Sequence, residues 1–119
     1  MRAFNVTVYD GWVNGTNEVR SDANLTEVVG RADDLAVQIY VDDSSGVGIT
    51  MTVKAYHAND ATNWVERSTL MNAVDISTIP SNQIIPVPLP LGADVLFGVQ
   101  LGGTSPKARV KIMVCGRLL

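Results

Sequence analysis

Apolar and polar residues alternate along most of this chain with the two-residue period of a β-strand, and helical periodicity is nearly absent. Phe4, Val6 and Val8 alternate with Asn5, Thr7 and Tyr9. Asp10-Gly11 then reads as a turn, and Trp12-Val13 as the opening of a short second strand. Residues 10–34 are otherwise polar and weakly patterned. They read as a long connection or a partner-contacting arm, with a short strand near Leu25–Val29.

The clearest pattern starts at Leu35. Leu35, Val37, Ile39 and Val41 share one face, and Ile49, Met51, Val53 and Ala55 repeat it after the turn residues Asp42 to Gly46. The spacing predicts a hairpin from these two runs. A polar loop at Asn59–Asn63 leads into a strand over Trp64–Leu70. Pro86, Pro88 and Pro90 fall two apart, which removes N–H donors from one side only. That suits a protected edge strand or a polyproline connector between sheets, and the sequence leaves both open. Val95, Phe97, Val99 and Leu101, then Ala108, Val110, Ile112 and Val114, predict two closing strands around a turn at Gly102–Pro106. About six to eight short strands result, so the expected fold is all-β: an antiparallel β-sandwich, jelly-roll-like. Leu35, Val37, Ile39, Val53, Phe97, Val99, Val110 and Ile112 are the expected shared core.

Composition narrows the class. A chain of 119 residues fits one domain over 1–119, and 46% hydrophobic content excludes disorder. Charged residues are 18%, below the roughly 25% usual for soluble domains, which fits a surface partly covered by a partner. A net charge of −3 argues against a protein held on nucleic-acid phosphates. The first 60 residues carry nine acids and four bases, a net of −5, while the rest carry three acids and five bases, a net of +2. The start shows no apolar signal segment, and no run is long enough to span a bilayer. The expectation is synthesis in a reducing cytoplasm with no membrane role. Asn-x-Ser/Thr triplets at Asn5, Asn14 and Asn24 then carry no sugar.

Little catalytic chemistry is in view. His57 is the single histidine, it sits at a strand end, and no nucleophile motif lies near it. Cys115 is the single cysteine, in an apolar run, and reads as a buried thiol. One His and one Cys do not make a zinc site. Asp33-Asp34 and Asp42-Asp43 flank a strand without the spacing of a calcium loop and read as solvated turn acids. No enzyme activity, no cofactor and no metal are expected. The candidates for contact are aromatic and basic. Trp64 reads as a core plug. Trp12 reads as an interface anchor, with Val13, Leu25, Val28 and Val29 as apolar positions for a partner to bury. Lys107, Arg109 and Lys111 share a strand face. They form either a solvated stripe that discourages stray pairing or a contact for an acidic protein surface.

The segment Asn59-Asp60-Ala61-Thr62-Asn63-Trp64-Val65-Glu66 resembles the loop-plus-strand of small β-sandwich structural proteins of tailed bacteriophages, as does the stretch from Leu101 to Ile112. The rhythm from Leu35 onward is similar. That resemblance implies a capsid decoration, or cement, protein: a homo-oligomer in the virion that bridges major capsid protein subunits of an icosahedral shell and is made in the host cytoplasm. It supplies no site residues. The alternative is a stand-alone binding module, of the carbohydrate-binding or fibre-tip kind, marked by an exposed aromatic platform.

Overall fold

A computed structural model describes residues 2–21, 34–58, 62–87 and 94–118. Six strands hold most of them: β1 (Arg2–Asn14), β2 (Val19–Arg20), β3 (Asp34–Ala58), β4 (Val65–Asp75), β5 (Ser81–Pro86) and β6 (Asp94–Leu118). Every pairing is antiparallel. No helix among the described residues is long and apolar enough to cross a membrane.

β3 and β6 organise the rest. Each is 25 residues long, and they pair along their whole length, from Asp34↔Arg117 to Ala58↔Asp94. An extended strand of that length would span about 80 Å, whereas the longest dimension of the molecule is 43 Å. The pair must therefore fold back on itself. It bends where the register slips, between Val41 and Asp43 and again on either side of Val47. Gly46 and Gly103 lie at this bend with φ of 120° and 111°. A Cβ on Gly46 would sit 2.7 Å from the Ser105 carbonyl oxygen, and one on Gly103 would sit 2.7 Å from the carbonyls of Val47 and Gly48. Only glycine fits both the dihedral and the approach.

Bending makes two layers. Sheet I runs in the order β1, the C-terminal half of β6, the N-terminal half of β3, β5. Sheet II runs in the order β2, the N-terminal half of β6, the C-terminal half of β3, β4. Counting the halves of the bent strands separately gives eight segments, paired first with eighth, second with seventh, third with sixth and fourth with fifth. That is a long antiparallel hairpin rolled up so that third meets eighth and fourth meets seventh, the jelly-roll arrangement.

The rolled ribbon corrects three expectations. Leu35–Val41 and Ile49–Tyr56 do not pair as a hairpin; they are two halves of β3 in opposite sheets, and each pairs with β6 instead. Asp10-Gly11 is not a turn. β1 runs through it, and a bulge between Thr7 and Tyr9 shifts the alternation so that Trp12 points outward and Val13 inward. Of residues 10–34, expected as a long connection or an arm, 22–33 lie outside the described residues, and 10–21 belong to the sheets. They finish β1, form β2, and end at buried Ser21, whose N–H donates to the Phe97 carbonyl at 2.8 Å while its hydroxyl accepts from the Phe97 N–H at 2.8 Å. The expected strand near Leu25–Val29 lies outside the described residues. Of the prolines, Pro86 closes β5, an edge strand of sheet I; Pro88 and Pro90 lie outside the described residues.

The core lies between the sheets. All eight expected core residues are buried there, joined by Val13, Met51, Leu101 and Ile76. Ile76 follows β4 and is held by its N–H to the Ile49 carbonyl at 3.2 Å. Trp64 does not plug this core: it is half-buried before β4 and lies outside the packed cluster.

Candidate functional site

Period-two alternation turns every second residue of sheet I outward. Across β1, β6 and β3 the register then brings distant residues side by side: Trp12 opposite Arg109, Asp10 opposite Lys111, and Lys111 opposite Tyr40. Asp10, Tyr40, Asp42, Arg109 and Lys111 line a cleft of about 190 Å³ near the bend. The Arg109 guanidinium reaches two carboxylates, Asp42 at 3.5 Å and Asp10 at 3.9 Å. Both distances are long for a charge-assisted bond. Lys111 makes no ion pair among the described residues. Trp12, opposite Arg109 in register, does not line this cleft and is 44% exposed. The Lys107 ammonium lies 4.6 Å from the indole centroid, a cation–π contact. The Tyr9 phenol donates to the Trp12 carbonyl at 3.2 Å, and burial raises its pKa.

The outward face of sheet II carries similar residues in a tighter arrangement. The Tyr56 hydroxyl donates to Glu18 Oε2 at 2.6 Å, and Arg20 Nε donates to Glu18 Oε1 at 2.9 Å. The Arg20 guanidinium lies 4.4 Å from the Tyr56 ring centroid. Burial pushes the Glu18 carboxyl up, but the hydrogen bonds from Tyr56 and Arg20 and the charges of Arg20 and Lys54 outweigh it, holding the group below its ordinary value. The whole cluster sits over Gly98, whose missing side chain leaves the room: a Cβ there would meet Glu18 Oε2 at 2.7 Å and Tyr56 Cε2 at 3.0 Å. Lys54 pairs with Glu66 at 3.1 Å alongside.

Lys107, Arg109 and Lys111 lie on one strand face, and the pairing of β1 with β6 sets Trp12 beside Arg109, a neighbour that spacing alone does not supply. The fold changes their character. Arg109 is offset by Asp10 and Asp42, and Lys107 faces an indole, so the stripe is not a free positive surface. Val13, expected to be available to a partner, is fully buried in the core because the β1 bulge turns it inward. Leu25, Val28 and Val29 lie outside the described residues. Asp10, Tyr40 and Asp42 were missed: Asp10 and Asp42 read as turn acids, and only the folded arrangement brings both within reach of Arg109.

His57 and Cys115 are far from forming a shared cluster among the described residues. His57 Nδ1 is buried with no hydrogen-bond partner among the described residues. The half-buried Cys115 thiol donates to the Ala36 carbonyl at 3.5 Å. No three metal-binding side chains cluster among the described residues.

No protein-family profile and no curated protein sequence matches the chain. Solved structures do. A mutant VP2 protein of infectious bursal disease virus, in derived T=1 particles, superposes with a TM-score of 0.60 at 13% identity over 98% of this chain and 32% of that one. The VP2 subviral particle of the same virus gives 0.55 at 10% identity, again over 98% of this chain and 32% of that one. The Gt strain of that virus gives 0.52 at 15% identity over 98% and 33%. The chain thus spans about a third of the length of these three chains, and at these identities the shared property is the fold.

Proposed function

We propose that this protein is a virion structural protein that decorates an icosahedral capsid and cements it by bridging major capsid subunits, as tailed-phage decoration proteins do. The observation that carries this reading is the complete eight-segment jelly roll, matched over nearly its whole length to one third of viral VP2 chains from T=1 and subviral particles. Jelly rolls recur in viral shells because two packed sheets give a rigid block whose exposed faces and edges remain free for neighbours. Shell contact is assigned to the β5 side of sheet I. Ile84 is 68% exposed there, beside the neutral pair Gln38 and Asn82. Exposed apolar side chains among uncharged neighbours suit a protein interface. Copies of the chain then follow the symmetry of the shell.

The test is direct. Particles purified from the source should contain this chain at a copy number fixed relative to the major capsid protein, read by quantitative mass spectrometry. Shells stripped of the protein should take it back, and Ile84→Asp should reduce the occupancy at least tenfold. Absence from particles, or no binding of the intact chain to stripped shells, removes the reading.

A further inference from the structure

We propose that the outer edge of β1 is a self-association site, at which a second copy of this chain adds its own β1 antiparallel across a twofold axis and joins two copies of sheet I into one continuous sheet. This does not rest on the capsid reading, and it concerns the edge of sheet I opposite the β5 edge assigned to the shell.

The four sheet edges are not alike. Sheet II ends on one side at β2, which is two residues long, and on the other at β4. The pairing of β4 with β3 slips at three places, and Ala73 within β4 has a φ of 49°. Sheet I ends on one side at β5, six residues long and closed by Pro86. Short length, bulges and proline are the devices that keep a stray strand from adding to an edge. β1 is different. It has 13 residues with no proline and no lysine, and among the described residues it pairs with β6 alone. Its single bulge falls between Thr7 and Tyr9, so Arg2–Thr7 is a regular run. In such a run alternate residues turn their N–H and C=O groups away from β6, ready for a further strand.

The side chains fit a second copy of the same strand. A twofold axis sets a strand against itself, and like charges directly opposite repel. The seven residues from Ala3 to Tyr9 carry no charge. An axis through Asn5 sets Phe4 opposite Val6 on the inner face and Ala3 opposite Thr7 on the outer one. The alternation is preserved because opposed positions differ by an even number. An aromatic side chain facing a β-branched one is a favourable cross-strand pair. Phe4 and Val6 pack against the core and are only partly buried at this edge. The Val6 and Phe4 of the second copy would cover them and carry the apolar layer across the join. Ala3, Asn5 and Thr7 are exposed on the outer face, where no charged group has to be desolvated. The same patch serves both copies, so the contact closes at two.

The experiment uses the full chain and sedimentation over a wide concentration range. The parent should form a reversible dimer. Asn5→Lys and Asn5→Glu each set like charges against one another at the axis and should weaken the dimer at least tenfold. Mixing the two variants should restore it, as a heterodimer that native mass spectrometry distinguishes by mass. Ile84→Asp, on the opposite edge, should dimerise as the parent does. Thermal melts establish that each variant is folded, and the exposed Thr7 offers Thr7→Lys and Thr7→Glu should the Asn5 pair unfold. The proposal is overturned if the parent stays monomeric to its solubility limit or forms an odd-numbered oligomer. It is equally overturned if folded Asn5→Lys dimerises as the parent does, if the mixture associates no better than either variant alone, or if Ile84→Asp disrupts the dimer.

Discussion

The outward faces of the two sheets use the same vocabulary, a carboxylate, an arginine and a tyrosine, and arrange it to opposite ends. On sheet II, Glu18, Arg20 and Tyr56 close on one another at 2.6 and 2.9 Å above a glycine. On sheet I, Asp10, Asp42 and Arg109 stand at 3.5 and 3.9 Å around an open cleft. The first arrangement fastens the two-residue strand β2, which has few backbone bonds of its own, to the body of the sheet. The second leaves hydrogen-bonding capacity unspent. A cluster of charged groups thus closes into a clasp or stays open according to what the backbone beneath it leaves empty.

That contrast can be broken experimentally. The reference is the core, to which both sheets contribute: Ile39→Ala on sheet I and Phe97→Ala on sheet II should each cost about 2–5 kcal/mol in urea unfolding, since both residues are at most 1% exposed. If only one of them destabilised the protein, the two layers would not share one core. Next in size is Gly98→Val. The added side chain must displace Glu18 and crowd Tyr56, at about 1–3 kcal/mol by the cost of overpacking; an unchanged melting temperature would show the clasp to be ornamental. Tyr56→Phe removes one hydroxyl and should cost about 1 kcal/mol. Arg109→Ala on the open face should stay within about 0.5 kcal/mol of the parent, because its ion pairs are long and half exposed. Equal losses for these two variants would erase the distinction between the faces.

The smallest effect is in acid. The folded-state pKa of Glu18 is depressed, so its contribution to stability is present above its ordinary value of 4.5 and is lost as pH falls through the lower folded value. Urea midpoints measured downward from neutral pH should therefore fall more for the parent than for Glu18→Gln. Parallel curves would show that Glu18 titrates alike in the folded and unfolded chain.

Much of this was legible in the sequence, and the parts that were not share one cause. Alternation is a local signal, and it placed Leu35, Ile39, Phe97 and Ile112 correctly in the core because burial on one face imposes the period directly. It also found that Lys107, Arg109 and Lys111 share a face. It did not show which strand lies beside which, so two halves of β3 read as a hairpin and the acids that flank Arg109 read as turns. Bulges defeat it too: one extra residue near Val8 exchanged the roles of Trp12 and Val13 relative to a simple count. Ile76 escaped notice because a single apolar residue after a strand has no period.

The central position of β6 bears on how the chain comes to be folded. It neighbours β1 and β3 in one layer and β2 and β3 in the other, yet it follows every other described strand in the order of synthesis. A nascent chain that has not yet reached Asp94 has no partner for β1 or β2, whatever else has emerged. The amino-terminal strands must wait for pairings such as Phe4 with Gly116, more than a hundred positions away. Closing such distant contacts is slow compared with forming local ones. On the ribosome, the protein should therefore stay protease-sensitive until β6 is released from the exit tunnel, and then gain resistance in one step rather than strand by strand.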